Sequence, residues 1–304
     1  MRLPFSKQRR HRLEDGLAAA LFSAARVLPR PALLRLGAGV GRVVGALDRR
    51  HLAIAASAMA RAFPDWSEGR VAATARGVYA HIGKVLVDVA WMARRGRDEI
   101  VGLMDVEGRE HVEAALASRR GIVFTTAHIG NWEVCGVAHG WNYAPMSVVY
   151  RPLDNPLLDR RLAVLRERSG NVAIDKRRAL GQLLRRLRRG EAVALLVDQN
   201  VQEQDGIFVR FFGRPAATTT SAALLHLKTG ATLMGGFTRL GPDGRYRMRY
   251  EAPIRVEPSG DRERDVARIT QALNDMIEGW VREVPEQWLW IHRRWHTQPR
   301  SDRA

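Results

Sequence analysis

Apolar residues follow two rhythms along this chain, and the change comes near residue 105. Before it they recur every three or four positions, the spacing of a helix with one apolar side; after it, short β-branched runs alternate with helical stretches. In the first part, ALLRLGAGVGRVVGALDRR (32–50) follows the Pro29-Arg30-Pro31 break. On a helical count its Arg35, Arg42 and Arg49 fall within about 40° of one another, and Leu33, Leu36, Val40, Val43, Val44 and Leu47 gather within about 100° on the other side. Residues 51–64 and 68–95 read as two further helices, split by a turn at Pro64-Asp65, with Ser67 as cap of the second.

In the second part, strand GIVFTT (121–126) leads to a helix beginning near Asn131, and MSVVY (146–150) leads to a helix from Pro156. AVALLVD (192–198) follows an arginine-rich helix at 176–189. FVRFF is a short strand, a helix starts at Thr220, strands lie near 231–238 and 246–252, and a helix covers Asp265 to Glu283. Such alternation predicts an α/β fold with a sheet layered by helices. The expected division is a membrane-associating amphipathic helical segment, 1–50, and a catalytic domain, 51–304. No internal repeat is apparent.

Charge sharpens this picture. Among 304 residues, Lys+Arg 49 against Asp+Glu 32 leaves a net +17, so the expected partners are anionic: phospholipid, an acidic carrier protein, a phosphorylated substrate or nucleic acid. The single cysteine, Cys135, excludes an internal disulfide and a thiolate metal cage. No window reaches the roughly 18 uninterrupted apolar residues of a spanning helix. GLAAALFSAA (16–25) is closed by Arg26, and Glu14 and Asp15 stand where a signal peptide carries only positive charge. The 32–50 helix has two readings: an element lying in the membrane interface with arginines among lipid phosphates, or a surface helix packed on its own core.

In α/β sheets chemistry collects at the carboxyl ends of strands. Three polar groups stand there: His128 after GIVFTT, Arg151 after MSVVY, and Asp198-Gln199 after AVALLV. If His128 lies in the loop and the helix begins near Asn131, Glu133 in the first turn can reach back to the imidazole, with Gly130 permitting the tight loop. That pair is a general base; Glu133 as an ordinary first-turn carboxylate beside a satisfied loop histidine accounts for the spacing equally well. Arg151 sits in a short loop ended by the Asn155-Pro156 cap, suited to a phosphate, a carboxylate or an oxyanion. Asp198 and Gln199 can orient substrate or pair with Arg151. Phe208, Phe211 and Phe212 suit a wall against a greasy substrate or core packing, and Trp288, Trp290 and Trp295 with Arg293 and Arg294 suit a lipid headgroup boundary. His292 and His296 lack a third ligand, so no metal is expected.

In order, RAFPDW, AHIGNWE, YRPLDNP, DQN, GIFVRFFG, PAATTT, KTGA and PEQWLWIHRRWH resemble the bacterial lipid A biosynthesis acyltransferases, the lauroyl and myristoyl transferases within the lysophospholipid acyltransferase-like superfamily. The resemblance implies a mixed central sheet between helices and a long acyl groove. It implies transfer of a fatty acyl group from an acyl-carrier-protein thioester to a hydroxyl of a lipid A precursor, without a cofactor. Carried over by position, His128 is the base, Glu133 its partner, and Asn131, Arg151, Asp198 and Gln199 bind substrate. Acyl carrier protein, anionic membrane lipids and a glycolipid acceptor are the implied partners, and nucleic acid is not expected. The implied location is the cytoplasmic face of the bacterial inner membrane. The arginine- and proline-broken amino terminus departs from the spanning helix common in the family, so attachment is expected to be peripheral or monotopic. The rivals are a phosphatidylinositol mannoside acyltransferase, a thioester hydrolase of the same architecture, and a basic nucleic-acid-binding protein.

Overall fold

The computed structural model describes residues 5–299; the first four residues of the basic start and residues 300–304 lie outside it, as do the side chains of Phe5, Ser6 and Arg178. Four helices come first: α1 (Phe5–Val27), α2 (Arg30–Leu47), α3 (Arg49–Ala62) and α4 (Glu68–Met92). Pro31 sits in the first turn of α2, where its missing N–H costs nothing, and the Ser67 side chain caps α4 by accepting from the Arg70 N–H.

How α2 packs reverses the usual sense of an amphipathic helix. Its buried seam is made of Gly37, Ala38, Gly41 and Gly45 together with Leu33, while Leu36, Val40, Val43, Val44 and Leu47 are 48–79% exposed. The absence of side chains lets the α2 and α4 backbones touch. A Cβ on Gly41 would fall 2.1 Å from the Tyr79 carbonyl oxygen, and one on Gly37 2.6 Å from that of Gly83. The start of α2 is tied down as well: Arg30 makes a two-pronged ion pair with buried Asp88 of α4 at 2.8 and 2.7 Å. Both α1 and α2 thus pack against α4, and the expected boundary at residue 50 marks no break in packing.

A valine at Gly41 is expected to destabilise the protein by about 3 kcal/mol or more, because rigid backbone rather than a movable side chain blocks it. Alanine at Gly39, where a Cβ meets nothing within 4 Å, is expected to stabilise by about 0.5–1 kcal/mol through helix propensity. Thermal unfolding of the two variants checks the opposite signs.

The α/β part runs α5 (Arg97–Val101), β1 (Met104–Glu107), α6 (Arg109–Ala117), β2 (Ile122–Thr126), α7 (Trp132–Asn142), β3 (Met146–Tyr150), α8 (Pro156–Glu167) and β4 (Val172–Asp175). It continues with α9 (Ala179–Arg188), β5 (Ala192–Leu196), β6 (Ile207–Phe211), β7 (Arg214–Thr218), α10 (Ser221–Thr229), β8 (Thr232–Leu240), β9 (Tyr246–Tyr250) and α11 (Arg262–Glu283). Seven strands form one sheet in the order β1-β9-β8-β2-β5-β3-β4. All neighbours are parallel except β8 and β9, which makes the sheet mixed, as expected. β6 and β7 form a separate hairpin.

Alternating residues of the buried strands feed two cores. Val123, Val193 and Leu233 join α3, α9, α10 and α11 on one face; Ile122, Phe124, Ala194 and Met234 join α6 and α7 on the other. The carboxyl ends of β2, β5 and β3 lie side by side, which brings the loops after them to one place.

Candidate active site

β2 and β5 are parallel and in register, with Thr126 opposite Leu196, so the residues two positions past each strand, His128 and Asp198, emerge together. His128 Nδ1 lies 2.8 Å from Asp198 Oδ1, and the His128 backbone N–H donates to Asp198 Oδ2 at 2.9 Å. The indole N–H of Trp288 donates to the same oxygen at 2.8 Å. Burial pushes the Asp198 carboxyl up, but the His128 imidazole, by charge and hydrogen bond, the His128 N–H and the Trp288 indole outweigh it and hold the group down at about 2. A carboxylate on Nδ1 keeps the proton on that nitrogen and leaves Nε2 as the acceptor. Among the described residues, Nε2 has one polar neighbour, the Gln199 side-chain amide nitrogen at 3.4 Å.

The loop bearing His128 is held from three sides. Gly130, at φ +59°, gives its N–H to the Gln287 carbonyl, and a Cβ there would come 2.0 Å from the Thr238 carbonyl oxygen. His81 of α4 donates from Nε2 to the Gly130 carbonyl at 2.9 Å, and the Leu289 N–H donates to that of His128. The Asp198 loop has its own support, because the Asn200 N–H donates to His292 Nε2 at 2.8 Å.

Glu133 is not the partner of His128. It opens the first turn of α7, as expected, but turns toward α8, where Arg166 grips it with two bonds of 2.8 and 2.5 Å. The cause is topological: the strand-end neighbour of His128 is Asp198, and the neighbour of α7 is α8. Asn131, expected to bind substrate, is fully buried and does not line the cavity described below. It caps α7 through Oδ1 and donates to the Tyr246 hydroxyl at 3.1 Å. Arg151 stands on the cavity rim, 73% exposed, with Asp154 at 4.0 Å.

The cavity has a volume of about 1140 Å³. His128, Trp132, Glu133, Arg151, Arg166 and Gln199 stand toward the strand ends, and Phe124, Val137, Met146, Val148, Ala194 and Met248 line it between α7 and the sheet. Its size exceeds that of an ordinary small-molecule site, and the apolar stretch fits a hydrocarbon chain. His139, whose Nδ1 lies 2.6 Å from the Tyr250 hydroxyl, also lines it.

Burial lowers both His81 and His139 to about 4, so both are neutral at pH 7. An unfolded imidazole takes its proton near 6.5 whereas these wait until about 4, so the unfolded chain binds protons first and stability falls as pH drops through that interval. The expected loss is a few kcal/mol for each. Denaturant titrations at pH 7 and 4.5 check this, and His139→Gln is expected to flatten the dependence.

The structure decides between the two readings of the phenylalanines and overturns the one given to the tryptophans. Phe211 and Phe212 pack against Trp288, Trp290, Trp295 and Phe63 within the core, not against the cavity. Trp288, Trp290 and Arg294 are at most 2% exposed, which removes them from any headgroup boundary. Trp288 instead serves the site, as do two residues absent from the sequence expectations, Trp132, edge-on to the His128 ring at 4.8 Å, and Arg166; His292, weighed in the sequence only as a metal ligand, has a supporting role. The Trp288 signal was present, in a tryptophan run too apolar to be all surface; Arg166 lies inside an ordinary charged helix and carries no local sign.

The pattern that defines the family described as "Bacterial lipid A biosynthesis acyltransferase" matches residues 3–297. The chain belongs to that family. It is an acyltransferase, and the mixed sheet with helices on both faces accords with the family. Among its relatives is the lipid A biosynthesis lauroyltransferase of Escherichia coli K12, 30% identical over 277 residues, 90% of this chain and 88% of that protein. The lipid A biosynthesis palmitoleoyltransferase of the same organism is 28% identical over 276 residues, 90% of this chain and 87% of that protein. A phosphatidylinositol mannoside acyltransferase of Mycolicibacterium smegmatis is 30% identical over 196 residues, 63% of this chain and 62% of that protein. No group of three His, Cys, Asp or Glu residues suited to a metal occurs among the described residues of the chain.

Proposed function

We propose that the chain transfers a fatty acyl group from an acyl-carrier-protein thioester to a hydroxyl of a lipid A precursor. One observation carries the reading: an imidazole whose Nδ1 is engaged by a buried carboxylate and whose Nε2 is open toward a cavity with an apolar interior. His128 Nε2 takes the proton of the acceptor hydroxyl, and the oxygen attacks the thioester carbonyl carbon. The C–S bond then breaks, and the departing thiolate receives the proton from the imidazolium. Asp198 holds the tautomer and steadies the imidazolium; Gln199 and Arg166 are placed to bind the carbonyl oxygen or the acceptor. Glu133 keeps the Arg166 guanidinium facing the cavity.

Arg151 and Lys176 at the rim suit a phosphorylated acceptor, and exposed Arg185, Arg188 and Arg189 suit an acidic carrier protein. No helix among the described residues is long and apolar enough to cross a membrane. The outward apolar row of α2, flanked by exposed Arg35 and Arg42, supports peripheral attachment to the cytoplasmic face of the inner membrane. A lipid A precursor is favoured over a phosphatidylinositol mannoside because the two Escherichia coli lipid A relatives match along 90% of the chain and the mannoside relative along 63%.

The test is incubation of the purified chain with acyl carrier protein bearing defined acyl chains and either a lipid A precursor or a phosphatidylinositol mannoside, with products identified by mass spectrometry. Acylated lipid A precursor is expected. Thioester cleavage indifferent to either glycolipid would make the chain a hydrolase.

A further inference from the structure

A second cavity, of about 380 Å³, lies between α3 and the carboxyl-terminal segment 292–296, with His292 forming a wall common to both cavities. Its composition is one-sided. Arg61, Arg293 and His296 are exposed along it, Ser57 adds a hydroxyl, Ile54 and Trp295 supply apolar surface, and no carboxylate occurs among the described residues that line it. Nearly every other arginine near a cavity here has an acidic neighbour, as Arg166 has Glu133 and Arg177 has Asp175. Arg61 and Arg293 have no ion pair among the described residues.

A third guanidinium reinforces the field. Arg294 is 1% exposed, and its hydrogen bonds all go to neutral oxygens: the Ala217 carbonyl, Thr218 Oγ1 and Asn274 Oδ1. Burial lowers it to about 10, which still leaves it charged at neutral pH. The carboxylate that it feels is Asp198, already engaged by His128 and Trp288. Two N–H groups of the lining residues, Arg294 Nε and Trp295 Nε1, have no acceptor. Arg61 and Arg293 thus border one concave surface with no ion-pair partner among the described residues, while the Arg294 guanidinium, turned into the core, adds positive charge behind it; an anion held between the two exposed groups offsets their repulsion. Forked N–H donors match the oxygen geometry of phosphate.

We propose that this second cavity is a phosphate site, taking a phosphate monoester between Arg61 and Arg293. Two sources share that chemistry: free inorganic phosphate, and a phosphate on the sugar of the glycolipid acceptor, the latter resting on the lipid A reading above. Because His292 walls both cavities and accepts the Asn200 N–H, the site backs directly onto the loop that carries Asp198 and Gln199.

Isothermal titration of the full chain in detergent, with inorganic phosphate and separately with glucosamine 1-phosphate, tests this. Saturable binding of at least one probe below about 10 mM is expected, weakened about tenfold or more in Arg61→Ala/Arg293→Ala, since each lost charge-assisted bond amounts to about a tenfold change. Arg262→Ala/Arg264→Ala removes the same charge from the start of α11 and is expected to bind within about twofold of the parent. Single Arg61→Gln and Arg293→Gln variants, each keeping polar bulk, are expected to weaken binding severalfold and serve if the double variant unfolds. Tighter binding of the phosphosugar identifies the acceptor as the source; equal affinity identifies free phosphate. Absence of saturable binding, undiminished binding by the Arg61/Arg293 variants, or an equal loss in the α11 control overturns the proposal. No acyl donor is present in the titration, so failure here leaves the acyl-transfer reading standing, and failed acyl transfer leaves the titration meaningful.

Discussion

Asparagine at Asp198 is expected to lower turnover by about 10²- to 10⁴-fold while leaving the chain folded. Asp198 accepts three bonds: from His128 Nδ1–H, the His128 backbone N–H and the Trp288 indole. An amide has one oxygen to offer them. If that oxygen faces the backbone and indole donors, its NH₂ meets the imidazole, forces Nδ1 to accept and moves the ring proton to Nε2. The nitrogen facing the cavity then has no lone pair for the acceptor hydroxyl. His128→Ala is expected to lose as much, and the double variant little more, because the two act as one unit.

Glu133→Gln separates the carboxylates. It leaves the imidazole's partner intact and deprives Arg166, 16% exposed, of its counter-charge and of one of its two bonds, since the amide keeps a single accepting oxygen. The expected result is a lower melting temperature and weakened acceptor binding, with the pH dependence of turnover retained. Pairing it with Arg166→Met is expected to recover stability, since removal of both members of a buried pair costs less than removal of one. Steady-state kinetics across pH, with melting curves, decide the matter. Near-normal turnover by Asp198→Asn would return the role to Glu133.

The second large effect concerns α2. Aspartate at Val40, Val43 and Leu47, which are 55%, 62% and 79% exposed, is expected to reduce binding to phosphatidylglycerol vesicles by about 10²- to 10⁴-fold. The estimate takes about 1–2 kcal/mol for each apolar side chain withdrawn from lipid, and the added negative charge opposes anionic headgroups. Since these side chains touch solvent and the packed seam is made of glycine, the melting temperature is expected to change by only a degree or two. Arg35→Ala/Arg42→Ala is expected to weaken binding less, and mainly at low salt. Vesicle cosedimentation provides the measurement, and binding of the triple aspartate variant within about threefold of the parent would remove α2 from the membrane.

Most elements were legible in the chain. The caps at Ser67, Asn131 and Asn155, the strand after Gly121 and the helix after Thr220 stand within a residue or two of expectation, because each is decided by neighbours in sequence. Short elements escaped notice, β1, β4 and β7 among them, since four or five residues in a polar stretch carry too little periodicity. The 32–50 helix was legible as amphipathic, but not its orientation. A helical count sees an apolar side and a basic side, and cannot see that a row of glycines matches the backbone of α4 at Tyr79 and Gly83.

The same division runs through the site. The sequence by itself determined the α/β class, the family, and the placement of His128, Arg151 and Asp198 at strand ends. Only the tertiary structure decided which carboxylate meets the imidazole. Local spacing offered Glu133, five residues along, but strand register carries Asp198 to His128 across 70 residues of chain, and packing against α8 draws Glu133 away to Arg166. Short-range chemistry is written in neighbouring residues; which distant groups share a hydrogen bond depends on the order in which strands pair, and that order is set by burial of the whole sheet rather than by any one segment.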